Sequence, residues 1–345
     1  MNQRLRVLGM FAALSLCSCG QSSAPMPGMA ATPAQRDLVR VAGQPALDLF
    51  NLPSSGGSWP DYIVAGPDHA MWFTEFFGNY IGRITMDGQI ATFTIPAGDA
   101  EGITIGPDRN IWFTAPGYQA IGRMTPQGKT TMFSLPKSAN ASPRGITLGP
   151  DGNIWYVEYY DGYIGRVTPQ GTITRFAIPV YQSFPWDITT GPDGDLWFSE
   201  SAANQIGRFN PTTEAFDSSI SVPTQTATPW GLLLAPDKHI WFTERTGDKI
   251  AEVTASGAVK EFAIAQPGSY PEALAAGPDG DLWFTEGQTG DVGHINPSTG
   301  KFGPVVVLSS GSIPNGIAAG PNKALWFCID AYNVTNQIGE LVLPK

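Results

Sequence analysis

Cysteine, histidine, basic residues and long apolar runs are all scarce in this sequence, and each shortage removes a class of function. Of the three cysteines, Cys17 and Cys19 lie near the start, which leaves Cys328 alone in the body of the chain. A single thiol makes no intramolecular disulfide, and Cys328 is expected to be a buried packing residue. The three histidines, His69, His239 and His294, are scattered and lack metal-ligand spacing along the chain. Lys and Arg total 20 against 30 Asp and Glu, for a net charge of −10; this argues against nucleic acid, which is bound through basic patches. No stretch reaches the ~18 consecutive apolar residues that mark a membrane-spanning helix. Amphipathic helical periodicity is missing as well.

In its place the sequence has a repeat. A tryptophan followed by an aromatic residue falls at Trp72, Trp112, Trp155, Trp197, Trp241, Trp283 and Trp326, every 40 to 44 residues, the period of a solenoid or propeller. Within a unit apolar residues alternate with a period of two, and turn signals such as Asp151-Gly152 and Gln170-Gly171 punctuate them. Each unit therefore reads as four short strands, A to D, which make one propeller blade. The fold expected is all-β, a seven-bladed β-propeller of four-stranded antiparallel blades.

The seventh repeat stops after a C strand ending near Leu343, and a D-like segment, Ala46–Pro53, precedes the first A strand. The N-terminal strand is thus expected to complete the last blade, three strands from one end and one from the other, and to remove an open sheet edge. Residues 1–19 carry Arg4 and Arg6 ahead of a short apolar run and then Leu16-Cys17-Ser18-Cys19, the layout of a secretory signal. Their last four residues resemble a bacterial lipobox, which implies lipidation at Cys19 and an exported protein held at the cell envelope. Residues 20–43, rich in Ser, Ala, Pro, Gly and Met, read as a flexible tether, and residues 44–345 as the propeller.

The repeats separate scaffold from site. A Glu three residues after the marker Trp recurs as Glu75, Glu158, Glu200, Glu244 and Glu286, so it belongs to the blade, and ion pairs to Arg83, Arg166 and Arg208 are expected. One position, at the start of each A strand, varies: Asp61, Glu101, Arg144, Trp186, Trp230, Glu272 and Asn315. These seven should ring one mouth of the central channel. Asp61, Glu101, Glu272 and Asn315 form an arc of oxygen donors suited to a hard cation. Arg144, Trp186 and Trp230 offer a guanidinium beside two aromatic faces for a small-molecule or peptide ligand.

The unit Pro-x-Gly-Ile-x-x-Gly-Pro-Asp-Gly-x-Ile-Trp-Phe-Thr-Glu, followed by an Ile-Gly-Arg segment, resembles that of the streptogramin (virginiamycin B) lyases across residues 45–343. The resemblance implies a seven-bladed propeller and a Mg²⁺-dependent carbon–oxygen lyase that opens a cyclic depsipeptide at its ester by elimination. It also implies a catalytic His in the last blade, where this chain has Asn315, and a second in the preceding blade, where it has Glu272. The Glu two residues before the first is Ile313, and Asp330 keeps a carboxylate, so the implied metal set is Asp61, Glu101, Glu272 and Asp330. Asn315 is no base near neutral pH, which leaves Glu272 as the candidate. Three readings follow: a lipid-anchored, monomeric ligand-binding propeller, a metal-dependent lyase with an altered base, or a structural or protein-docking propeller.

Overall fold

The computed structural model describes residues 32–39, 45–53, 59–96, 99–136, 140–331 and 335–343. Cys19, the expected signal and most of the expected tether lie outside them. Blade 3 illustrates the unit: strands Pro143–Leu148, Ile154–Glu158, Tyr163–Val167 and Ile173–Ala177 pair in that order, each antiparallel to the next. Seven such sheets make the seven-bladed propeller. Among the described residues the single helical element is a 3-10 turn at Pro116–Tyr118.

Successive strand residues point to opposite faces, so the Trp and the aromatic after it serve different neighbours. Trp72 packs in one cluster with Phe113 of blade 2, while Phe73 packs with Trp326 of blade 7. The same pairing recurs at every junction, as Trp112 with Tyr156, Trp155 with Phe198, Trp197 with Phe242, Trp241 with Phe284 and Trp283 with Phe327. The core is therefore seven inter-blade layers, and each buried indole contributes on the order of 4–6 kcal/mol of transfer free energy. The glycine of the Ile-Gly-Arg segment makes room for the second ring. A Cβ on Gly165 would lie 2.0 Å from the Tyr156 ring carbon Cζ, and one on Gly82 would lie 2.1 Å from the Phe73 ring.

The Asp of each A–B turn accepts the indole N–H of the marker Trp, as in Trp72 Nε1 to Asp68 at 2.9 Å and Trp155 Nε1 to Asp151 at 3.0 Å. Asn322 takes this role in blade 7. The same turn Asp attracts the C-strand arginine: Arg83 meets Asp68 at 2.6 Å, and Arg208 meets Asp193 at 2.9 Å. This corrects the expected pairing of Arg83, Arg166 and Arg208 with Glu75, Glu158 and Glu200. Arg166 pairs with Glu214, and Glu158 is held by Arg175. Register explains it, because Arg83 lies opposite Trp72 while Glu75 lies opposite Tyr80, three residues away along the strand.

Closure follows the expectation. Ala46–Asn51 pairs with Gln337–Val342, which continues to Leu325–Ala331 and Ser312–Ala319. Phe50 stacks on Trp326 at 5.6 Å, as Phe93 stacks on Trp72. The stretch read as tether does more than expected. Arg36–Val39 adds a fifth strand beyond Ala46–Asn51, and Thr32–Pro33 pairs with the last strand of blade 1. Arg36 forms an ion pair with the buried Asp48 and lies over Phe50, giving blade 7 the cation that blades 1 to 4 carry on their C strands. The D strands of blades 4 and 6 are each split in two, at Ala215–Phe216 and Ile220–Ser221 and at Lys301–Phe302 and Val306–Val307, where Asp217-Ser-Ser219 and Gly303-Pro304 interrupt the alternation.

Candidate functional site

In six blades the variable residue stands where a bulge opens the start of the A strand; Glu101 of blade 2 lies just before its shorter A strand, Ile103–Ile105. Pairing with strand B breaks between Pro60 and Ile63, Pro143 and Ile146, Pro185 and Ile188, Pro229 and Leu232, Pro271 and Leu274, and Pro314 and Ile317. The backbone amide freed by the bulge is satisfied by the Thr or Ser two residues after the marker Trp. Thr74 Oγ1 accepts from Tyr62 N, Thr243 Oγ1 from Gly231 N and Thr285 Oγ1 from Ala273 N. The same hydroxyls donate to the carbonyl of the next blade's variable residue, Thr74 to Glu101, Ser199 to Trp230, Thr243 to Glu272 and Thr285 to Asn315. At these four junctions one hydroxyl thus links the starts of adjacent A strands, whereas blade 3 has Val157 at this position. Blade 7 has Cys328 at this position, fully buried as expected, with burial pushing its thiol well above the usual range.

Around blades 2 to 6 the ring is a continuous belt. Glu101 is ion-paired with Arg144, whose guanidinium lies 4.9 Å over Trp186. Trp186 and Trp230 stack on each other with ring centres 3.5 Å apart. Arg245 lies 4.7 Å over Trp230 and bonds Glu272 at 2.8 Å. Tyr159 and Tyr270 flank the two arginines. Trp186 also donates to the Tyr62 hydroxyl at 3.2 Å, joining blade 4 to blade 1. The two tryptophans are therefore not open parallel platforms: one stacked face is shared between them, and each has a guanidinium over its ring.

On blades 7 and 1 the mouth carries Asn315, Asp330 and Asp61. Asn315 donates to the Pro60 carbonyl at 3.4 Å. Burial raises the Asp330 carboxyl. Burial first, then the Glu101 carboxylate, pushes Asp61 well above the carboxylate range, with Glu272 and Asp330 adding to the effect and Arg144 opposing it. Glu101 and Glu272 are raised by burial too, each against its arginine. Asp187, beside Trp186, is raised to about 6 by burial although the N–H groups of Leu232 and Ile188 hold it.

This arrangement is a poor fit to the Mg²⁺ set expected from Asp61, Glu101, Glu272 and Asp330. Two of the four carboxylates, Glu101 and Glu272, are already ion-paired with guanidinium groups. Among the described residues, the groups of three acid or His side chains with donor atoms within 4.8 Å of one another lie elsewhere. The mouth offers instead acid and amide groups on blades 7 and 1 facing a charged aromatic belt, a surface for a ligand bearing hydrogen-bond donors and rings.

Arg245, Tyr159 and Asp330 form part of a second ring, four residues after the marker Trp. Its members are Phe76, Pro116, Tyr159, Ser201, Arg245, Gly287 and Asp330. Comparing blades at that offset would have found Arg245, which comparison at the A-strand position missed. The histidines are all remote from the mouth: His69 and His239 lie in A–B turns, at the other end of the channel, and His294 lies on the C strand Asp291–Asn296.

The sequence matches the Virginiamycin B lyase family over residues 31–217 and 212–343. A virginiamycin B lyase from Bordetella pertussis is 42% identical over 43 residues, 12% of this chain and 14% of the length of that relative. A streptogramin B lyase structure superposes with a TM-score of 0.80 at 32% identity, covering 86% of this chain and 97% of its own. A catalytically inactive His-to-Ala variant of virginiamycin B lyase from Staphylococcus aureus, solved with quinupristin, superposes with a TM-score of 0.79 at 32% identity, covering 86% of this chain and all of its own.

Proposed function

Because this chain belongs to the virginiamycin B lyase family, we propose that it is an exported binding propeller which captures a small or peptidic ligand at the channel mouth without histidine-dependent elimination. The observation that carries this reading is the absence of every histidine from the mouth: His69 and His239 lie in A–B turns and His294 on a C strand, opposite Trp283. Loss of one histidine suffices to inactivate the related staphylococcal lyase, and the two histidine positions implied by the family pattern hold Asn315 and Glu272. Recognition would use Asp61, Asn315 and Asp330 for donor groups of the ligand and the Arg144–Trp186–Trp230–Arg245 belt for its apolar and aromatic parts.

A second reading, elimination with a carboxylate base, draws support from Glu272. Burial raises its carboxyl, which brings it toward the range of a general base, and Arg245 is placed beside it to stabilise developing negative charge. The two readings part on one experiment: incubation of residues 30–345 with a type B streptogramin and Mg²⁺, followed by chromatography with mass detection. Elimination opens the ring without changing mass, so it would appear as a shifted peak of identical mass. We expect an unshifted peak, together with a ligand-dependent change in tryptophan fluorescence that is lost in Trp186→Ala. A shifted peak lost in Glu272→Gln would overturn the binding reading in favour of the second.

A further inference from the structure

The A–B end of each blade brings three side chains together: residues four and two before the marker Trp, and the C-strand residue opposite it. In blades 1 to 4 the third is an arginine, Arg83, Arg123, Arg166 or Arg208, lying 5.4 to 5.9 Å over its Trp. That cation offsets the turn Asp. Blades 5 and 6 lack it. Their triads are Asp237, His239 and Glu252, and Asp279, Asp281 and His294, with all donor atoms of each triad within 4.8 Å of one another. Both hold one imidazole and two carboxylates, but the His is second in blade 5 and third in blade 6. A packing requirement would preserve the residue at each position; here the set of donors is preserved while the positions exchange.

We propose that each triad binds a divalent transition-metal ion of the Zn²⁺ class through the His Nδ1 and two carboxylates, leaving a further position open. Imidazole with carboxylate suits zinc, whereas Mg²⁺ takes oxygen donors and water. His239 Nδ1 lies 2.9 Å from Glu252 Oε2 and 3.9 Å from Asp237 Oδ2, and His294 Nδ1 lies 2.8 Å from Asp281 Oδ2. Donors around tetrahedral zinc sit roughly 3.3 Å apart, so the two short contacts need to open by only about 0.5 Å.

The donors are oriented by contacts that the blades share: the Trp–Asp bond recurs in blades 1 to 4, and Asn296–Asp281 repeats Asn210–Asp195 of blade 4. Trp241 and Trp283 donate to Asp237 and Asp279, and Asn296 donates to Asp281 Oδ1, leaving Oδ2 toward His294. Lys260 takes Glu252 Oε1 and leaves Oε2 toward His239. His294 is held flat against Trp283 with ring centres 4.3 Å apart. The blade 5 triad adjoins a cleft of about 680 Å³ between blades 4 and 5, lined also by Arg208 and Lys238, which gives an ion there access to solvent.

The test is titration of chelator-stripped full-length protein with zinc chloride by calorimetry, with Co²⁺ absorption as an independent report of the ligand field. Glu252→Arg and His294→Arg restore the arginine of blades 1 to 4 and are chosen to preserve the fold, which circular dichroism verifies. Two equivalents are expected in the parent, one in each variant and none in the double variant. Fewer than two equivalents in the parent, or two persisting in both variants, would overturn the proposal.

Discussion

Glu244 ends the B strand of blade 5 with no exposed surface, and burial, reinforced by the nearby Glu261 carboxylate and opposed by Lys249, pushes its carboxyl up to about 8. Glu286 is raised by burial to about 7. The folded protein therefore binds protons that the unfolded chain releases near 4.5. Stability from these groups is complete below that value and is lost as pH rises through the folded pKa. The melting temperature is expected to fall from pH 5 to pH 9, and to fall less in a Glu244→Gln, Glu286→Gln double variant; parallel profiles would refute the assignment. Asp68, Asp108 and Asp151 act in the other direction. Burial opposes their charge, but their marker tryptophans and other donors hold them below the usual value, so their contribution is lost as pH falls. At this scale the variable mouth residues were legible from comparison of blades. The Glu–Arg pairing was misjudged, because separation along a repeat does not reveal which residues face each other across strands.

Among the elements, Ala46–Asn51 joins the N-terminal part of the chain to the last strand of the ring. Its alternation marked it as the missing D strand. The further strands Arg36–Val39 and Thr32–Pro33 were not legible, because a few residues in a Ser-, Pro- and Ala-rich stretch carry too little period-two signal to separate a paired edge from a tether. Deleting residues 46–53 strips Leu47, Leu49 and Phe50 from two inter-blade clusters and exposes the edge of Gln337–Val342. The truncated protein is expected to aggregate and to lose a single cooperative unfolding transition. An unchanged melting curve with a monomeric elution profile would show that the ring closes without this strand.

At the scale of the whole molecule, two ends of the channel differ in chemistry: a mouth of paired arginines, carboxylates and stacked tryptophans, and an opposite face where two triads of acid and imidazole replace arginine. Lipidation at Cys19, expected from the lipobox-like residues 16–19, would fix this propeller to the cell envelope. It predicts that full-length protein expressed in a bacterial host partitions with membranes and that Cys19→Ala moves it to the soluble exported fraction; equal partitioning of both would contradict lipidation. Period and alternation by themselves determined the seven blades, the strand order within them and the closure, because those follow from local pattern repeated along the chain. The tertiary structure alone decided which charges meet. Only the ring brings Arg245 to Glu272, 27 residues apart, or Trp186 to Tyr62, 124 apart. Only the strand register sets His294 against Asp281. Stacking and dispersion fall off over a few ångströms and charge–charge energy falls with the distance between the groups, so both are set by distance in space, which separation in sequence does not encode.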